Sequence, residues 1–187
     1  MQTKRVTVWY GFWSKVITRP FFFENDQGEA VTANGDRYRA MLNEFLLTKI
    51  EEDDIDNIWF QQDGATCHTA EATLDVLCPV FEDRIISRRA FWSPRSCDLT
   101  PLNYYLWSAV KDKCNADKPE TIDALKDNIR EAIDEIQVHA IDNALKNWTD
   151  RDSIINRKAC TFKYKRKFEK IFSSFFLNHF PKKKKNI

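Results

Sequence analysis

The chain opens on "RVTVWYGFW" (5–13), a run of β-branched and aromatic residues, followed after "SK" by "VITRPFFFE" (16–24). Two such runs with so short a connection predict adjacent strands. Pro20 cannot donate to a ladder, so it suits an edge or an irregular point better than a central strand. A polar loop then feeds a helix from about Asp36, where Tyr38, Met41, Leu42, Phe45 and Leu46 recur at three- and four-residue spacing. "NIWFQQ" (57–62) predicts a short strand that stops at the Asp63-Gly64 turn. A helix is expected from Thr69 to about Leu77, and "RIISR" (84–88) gives another short strand. Thr100 can cap the next helix, with Pro101 in its first turn and Leu102, Leu106, Ala109 and Val110 on one side. A further helix starts near Pro119 and carries Ile122, Leu125, Ile129 and Ile133; a last one, Val138 to Trp148, turns Ile141, Ala144, Leu145 and Trp148 inward. Two strands, helix, strand, helix, strand and then helices specify an α/β fold with a mixed sheet. There is no internal repeat.

After about Arg151 the pattern changes. Residues 152–187 use almost only Phe, Ile, Asn and Ser beside their basic residues, and the aromatics between Tyr164 and Phe180 have some helical spacing, so a short helix is the expectation there. Charge changes at the same place. The formal net charge of +1 divides into +10 for residues 156–187, where eleven bases meet only Glu169, and −9 for the rest. An acidic body repels phosphate backbones unless metal ions or a local basic patch intervene, which weighs against a simple DNA-binding module. The five cysteines (67, 78, 97, 114 and 160) form no CxxC pair and no dense framework, so reduced intracellular thiols are the default. The adjacent Cys67 and His68 fall short of the four well-placed ligands of a zinc site. The longest apolar runs, "PFFF" and "FSSFFLNHF", are too short to span a bilayer.

Asp63 directly follows a strand, where α/β folds present reactive side chains, although an Asp beside Gly in a turn is more often structural. The second feature is "SPRSCDLTPLNYY" (93–105). Asn103 would be the third residue of the helix, near free backbone N–H groups and the positive end of the dipole. An acid there would be held ionised. Asn satisfies the hydrogen bonding but not a metal, because magnesium requires hard anionic oxygens and a two-metal site relies on carboxylates.

"VTVWYGFWS", "FFFE", "GDRYRAMLNEFL", "WFQQDGATCHTA" and "WSPRSCDLTPLNYYLWSAVKDK" together resemble the catalytic domain of mariner-type transposases, a branch of the DDE/D transposases, over about residues 5–151. The resemblance implies a ribonuclease H-like fold and an ancestral activity in which three acids hold two Mg²⁺ or Mn²⁺ ions for DNA cleavage and strand transfer. On that basis Asp63 is the second acid and the one remaining metal ligand. Asn103 stands in the place of the third acid, and His68 and Asp98 support the site. Cys97 replaces a Pro of the motif. The first acid has no counterpart, since no Asp or Glu occurs before Glu24. The family's first strand lies centrally, between Val6–Trp13 and Asn57–Gln62. Its absence predicts an incomplete mixed sheet flanked by helices, with two open strand flanks and a marginal, aggregation-prone chain unless those flanks close on each other.

The expected organisation is thus a partial transposase catalytic domain (1–151) and a basic, Phe/Lys-rich tail (152–187). The expected function is that of a catalytically inactive transposase remnant with no tightly bound cofactor. The alternatives are a non-enzymatic nucleic-acid-binding protein that reused the fold, and an incomplete gene model whose upstream sequence holds the first acid. DNA is the ancestral partner, a homodimer a further expectation, and a membrane is not expected. In the tail, Lys182, Lys183, Lys184 and Lys185 are the candidates for nucleic-acid adhesion or a nuclear localisation signal, against a solvated segment with no role.

Overall fold

A computed structural model of the chain describes residues 6–13, 16–53, 55, 57–86, 107–116, 119–136, 143 and 171–177. The two opening runs form β1 (Val8–Trp13), β2 (Val16–Ile17) and β3 (Phe21–Phe22). Both short strands pair antiparallel with β1, with Trp13 opposite Val16 and Val8 opposite Phe22. The second run is divided around Pro20, as a residue with no N–H requires, and its two pieces share one side of β1.

The helix expected from Asp36 comprises α1 (Gly35–Met41), a π-helical segment (Leu42–Leu47) and α2 (Thr48–Glu52). Asn34 caps it, its Oδ1 accepting the Arg37 N–H at 2.9 Å. There follow β4 (Trp59–Gln61), α3 (Thr66–Thr69), α4 (Glu71–Phe81) and β5 (Ile85–Ile86). The helix expected over Thr69–Leu77 is α4, which continues to Phe81, and the short α3 precedes it. They divide at Ala70, whose extended backbone (φ −62°, ψ 140°) ends one and opens the other. Next are α5 (Trp107–Ala116) and α6 (Ile122–Asp134), the latter capped by Thr121, whose Oγ1 accepts the Ala124 N–H at 3.0 Å.

The last strand, β6 (Ile171–Leu177), lies in the compositionally distinct tail. It lies between β1 and β4 in a mixed sheet ordered β2-β1-β6-β4-β5, with β3 also on β1. It runs antiparallel to β1, from Val8 opposite Leu177 to Phe12 opposite Ser173, and parallel to β4, from Trp59 beside Ile171 to Gln61 beside Ser173. Two expectations are corrected here. Over 171–177 the tail is a strand and not a helix, and the flanks of β1 and β4 neither stay open nor close on each other. A run of Ile, Phe and Ser with strand propensity satisfies both rows of backbone groups at once.

Both faces of the sheet are covered. On one side Val8, Tyr10 and Phe12 of β1 pack with Val110 and Cys114 of α5 and Leu125, Ile129 and Ile133 of α6. On the other, Trp9 joins Tyr38, Met41, Leu42 and Leu46, Phe60 of β4, and Leu77 and Phe81 of α4. The period-two alternation of β1 thus divides its side chains between two cores. Phe60 stacks on Phe81 with ring centroids 5.0 Å apart, and Trp9 meets Phe45 edge-on at 6.0 Å. Each buried aromatic of this kind stabilises by roughly 1.5–3 kcal/mol. The result is an α/β arrangement with an incomplete mixed sheet flanked by helices, consistent with a partial ribonuclease H-like topology. Among the described residues no strand precedes β1.

Candidate functional site

The end of β4 brings together the residues that the sequence singles out. Gln62, the first residue beyond the strand, is buried and used at both ends: its Oε1 accepts from the Tyr38 hydroxyl at 2.9 Å, and its Nε2 donates to the His68 carbonyl at 3.0 Å. Asp63 follows in the turn. Its Oδ1 accepts the Ala65 N–H at 2.9 Å, an Asx-type closure that fixes the path of the chain into α3. The short helix α3 returns His68 beneath the turn, with Nδ1 2.5 Å from the same Oδ1. Thr73 clamps this segment to α4, its hydroxyl donating to the Cys67 carbonyl at 2.7 Å.

The electrostatics follow from burial and pairing. His68 is fully buried and tilted against the Tyr38 ring at a centroid distance of 4.5 Å, whereas the Asp63 side chain is about a third exposed. Burial alone would push His68 toward its neutral form. The hydrogen bond to Asp63, the hydrogen bond to Cys67 and the charges of both outweigh that together, and raise its pKa to about 9. For Asp63, burial acts to raise the pKa. The His68 hydrogen bond and charge, with the Ala65 N–H, prevail and hold the carboxyl below its ordinary value. At neutral pH the pair is a carboxylate and an imidazolium.

One oxygen of Asp63 is therefore committed to two donors within the turn, and one of these is a cation. A two-metal phosphoryl-transfer site needs several carboxylates converging on the ions. Among the described residues no group of three or more His, Cys, Asp or Glu side chains is placed to hold a metal ion. The strand beside β4 is "IFSSFFL", which contains no acid. The described donors do not by themselves supply the carboxylates that a pair of divalent ions requires. Asn103, Asp98 and Lys182 to Lys185 lie outside the described residues.

Sequence reasoning singled out Asp63 and His68 but not Gln62 or Tyr38. Gln62 had a usable signal, since a Gln at the buried end of a strand needs partners for both ends of its amide. Tyr38 had none beyond its place on an apolar stripe.

No protein-family model matches the chain, and neither does any curated protein. Solved structures do. One is the Mos1 transposase catalytic domain with raltegravir and magnesium, at TM-score 0.58 and 19% identity over 77% of this chain and 71% of that one. The same domain with raltegravir and manganese superposes at TM-score 0.59, with 20% identity over 78% of this chain and 72% of that chain. At this identity the likeness is one of fold.

Proposed function

We propose that the chain is a catalytically inactive relative of the DDE/D transposase catalytic domains, derived from an enzyme that cut and joined DNA. The observation that carries this reading is the occupant of the sheet's central position. In the ribonuclease H-like arrangement that strand supplies the first acid. Here the place between β1 and β4 is taken by Ile171–Leu177, which has the pairing of such a strand and none of its carboxylates. With Asn103 in the third position, Asp63 alone remains of three acids, and its Oδ1 is engaged by His68. The likeness in fold to the Mos1 catalytic domain, in structures with Mg or Mn, supports the ancestry.

The test is a plasmid-nicking assay on the purified full chain with Mg²⁺ or Mn²⁺. No metal-dependent cleavage is expected, and Asn103→Asp restores none, because two acids still lack the third. Metal-dependent cutting by the unaltered chain that disappears in Asp63→Ala would overturn the proposal.

A second reading, nucleic-acid adhesion without chemistry, is favoured by one topological fact. β6 is parallel to β4, so the chain leaves β6 at the same end of the sheet at which it leaves β4 for Asp63. The basic run Lys182–Lys185 follows shortly after Leu177 in sequence. Phosphate binding by these lysines, and their use as a nuclear localisation signal, are roles that need no carboxylate at all.

A further inference from the structure

The cleft between β1 and β4 is bounded on both sides by backbone. Among the described strands β1 and β4 do not pair with each other; β6 lies between them and pairs with both. The polarity of the occupant is fully specified, antiparallel to β1 over five residue pairs and parallel to β4 over three. The Gly11 N–H donates to Thr18 Oγ1 and its carbonyl accepts from the Thr18 N–H, each at 2.8 Å, so both backbone groups of Gly11 point away from β6. Gly11 and Ser174 are therefore a non-hydrogen-bonded pair, and the neighbouring pairs, Tyr10 with Phe175 and Phe12 with Ser173, exchange the ladder bonds.

The occupant arrives from a distance. Residues 135–170 lie between the end of α6 and Ile171, so no tight turn dictates which copy of the chain supplies the strand. The segment "IFSSFFL" has no charge, no Gly and no Pro. Outside the cleft it is an apolar strand with unpaired backbone, and a cleft without it exposes two open ladders. Donor and acceptor are identical in every copy, so exchange preserves every contact.

We propose that the β1–β4 cleft is a strand-binding site with an exchangeable occupant, and that residues 171–177 of a second copy take it in place of the chain's own to give a strand-swapped dimer. Its own tail competes at an effective concentration on the order of 1 mM. Monomer therefore dominates at micromolar protein, and the dimer forms when the chain refolds at concentrations approaching that value. This inference is independent of the functional reading, since it concerns backbone pairing and no carboxylate.

The test uses the full chain with its five cysteines replaced by Ala and the pair Gly11→Cys and Ser174→Cys introduced. A non-hydrogen-bonded pair lies about 4.5 Å apart at Cα, within the span of a disulfide. An equal mixture of ¹⁵N-labelled and unlabelled chains is refolded at about 5 μM and about 500 μM, concentrations set well below and near the effective value, and then oxidised. Peptide mass spectrometry is expected to find the 11–174 link almost entirely between like-labelled peptides at the lower concentration, and about a sixth mixed-label at the higher, since about a third of the links are then between copies and half of those pair unlike labels. No 11–174 link at either concentration would overturn the site, and almost entirely like-labelled links at both would overturn the exchange. Sizing of the unsubstituted chain refolded at the same two concentrations covers a folding failure of the variant. A dimer that persists on dilution supports exchange, and monomer at both concentrations opposes it.

Discussion

Asp63 and His68 hold opposite charges in a turn where burial disfavours each of them alone. Their coupling gives stability a pH dependence whose sign can be worked out. His68 is raised from 6.5 to about 9 in the folded chain, so its contribution is complete below pH 6.5 and is lost as pH rises through 9. Asp63 is lowered from 3.8, so its contribution is present above that value and is lost as pH falls through the folded value. Together they favour the folded state most between about pH 4 and 6.5. Thermal unfolding followed from pH 6 to pH 9.5 should show a falling Tm. Asp63→Asn should flatten that slope and cost about 2 kcal/mol at pH 6. The figure is set below the usual 3–5 kcal/mol for breaking a buried pair because Asp63 is partly exposed. A variant that keeps the wild-type slope would assign the titration to other groups. Asp63 and His68 could each be singled out from the sequence, but their pairing could not. That His68 Nδ1 meets Oδ1 depends on α3 returning the ring beneath the turn, and residue types alone do not specify such a return.

Among the described strands, β6 is the one that joins the β1 hairpin to β4 and β5. Ser174, the partner of Gly11, directs its own N–H toward β4, so Ser174→Pro removes a ladder donor from the centre of the sheet. We predict a loss of about 1–3 kcal/mol, the scale of leaving a buried ladder carbonyl without its donor. Hydrogen exchange should accelerate in Val8–Trp13 and Trp59–Gln61 together. Acceleration confined to 171–177 would mean that β1 and β4 hold their places without β6. The helices were legible because their information is local. Tyr38, Met41, Leu42 and Leu46 on one helix, and Leu125, Ile129 and Ile133 on another, repeat at the spacing that buries them. β1 was legible for the same reason. β6 was not, because its aromatics suit a helix face as well as a strand and only an unfilled cleft distinguishes the two.

For the molecule as a whole, the charge divides between an acidic body and a basic tail. The acidic body opposes DNA, while the chain leaves β6 for its lysine run at the end that carries Asp63. Any nucleic-acid adhesion should therefore depend on the tail and weaken steeply with salt. Replacing Lys182 to Lys185 with Ala should reduce the slope of log affinity against log salt by about 3 to 4, the value for four phosphate contacts on duplex DNA. Fluorescence anisotropy with a labelled duplex of arbitrary sequence, titrated across salt concentrations, measures it. An unchanged slope would move the interaction to the body.

The sequence by itself determined the α/β class, most elements of the sheet and helices, the compositional break near Arg151, and the presence of Asp63 with an Asn at position 103. All of these are written in local spacing or residue identity. Only the tertiary structure decided that a segment from beyond the break completes the sheet, and that Asp63 is occupied by a buried imidazolium. A backbone ladder accepts any strand of suitable length and polarity. The choice among candidates is made by which rows of N–H and C=O groups are left open once the rest of the chain has folded, and no single segment carries that information.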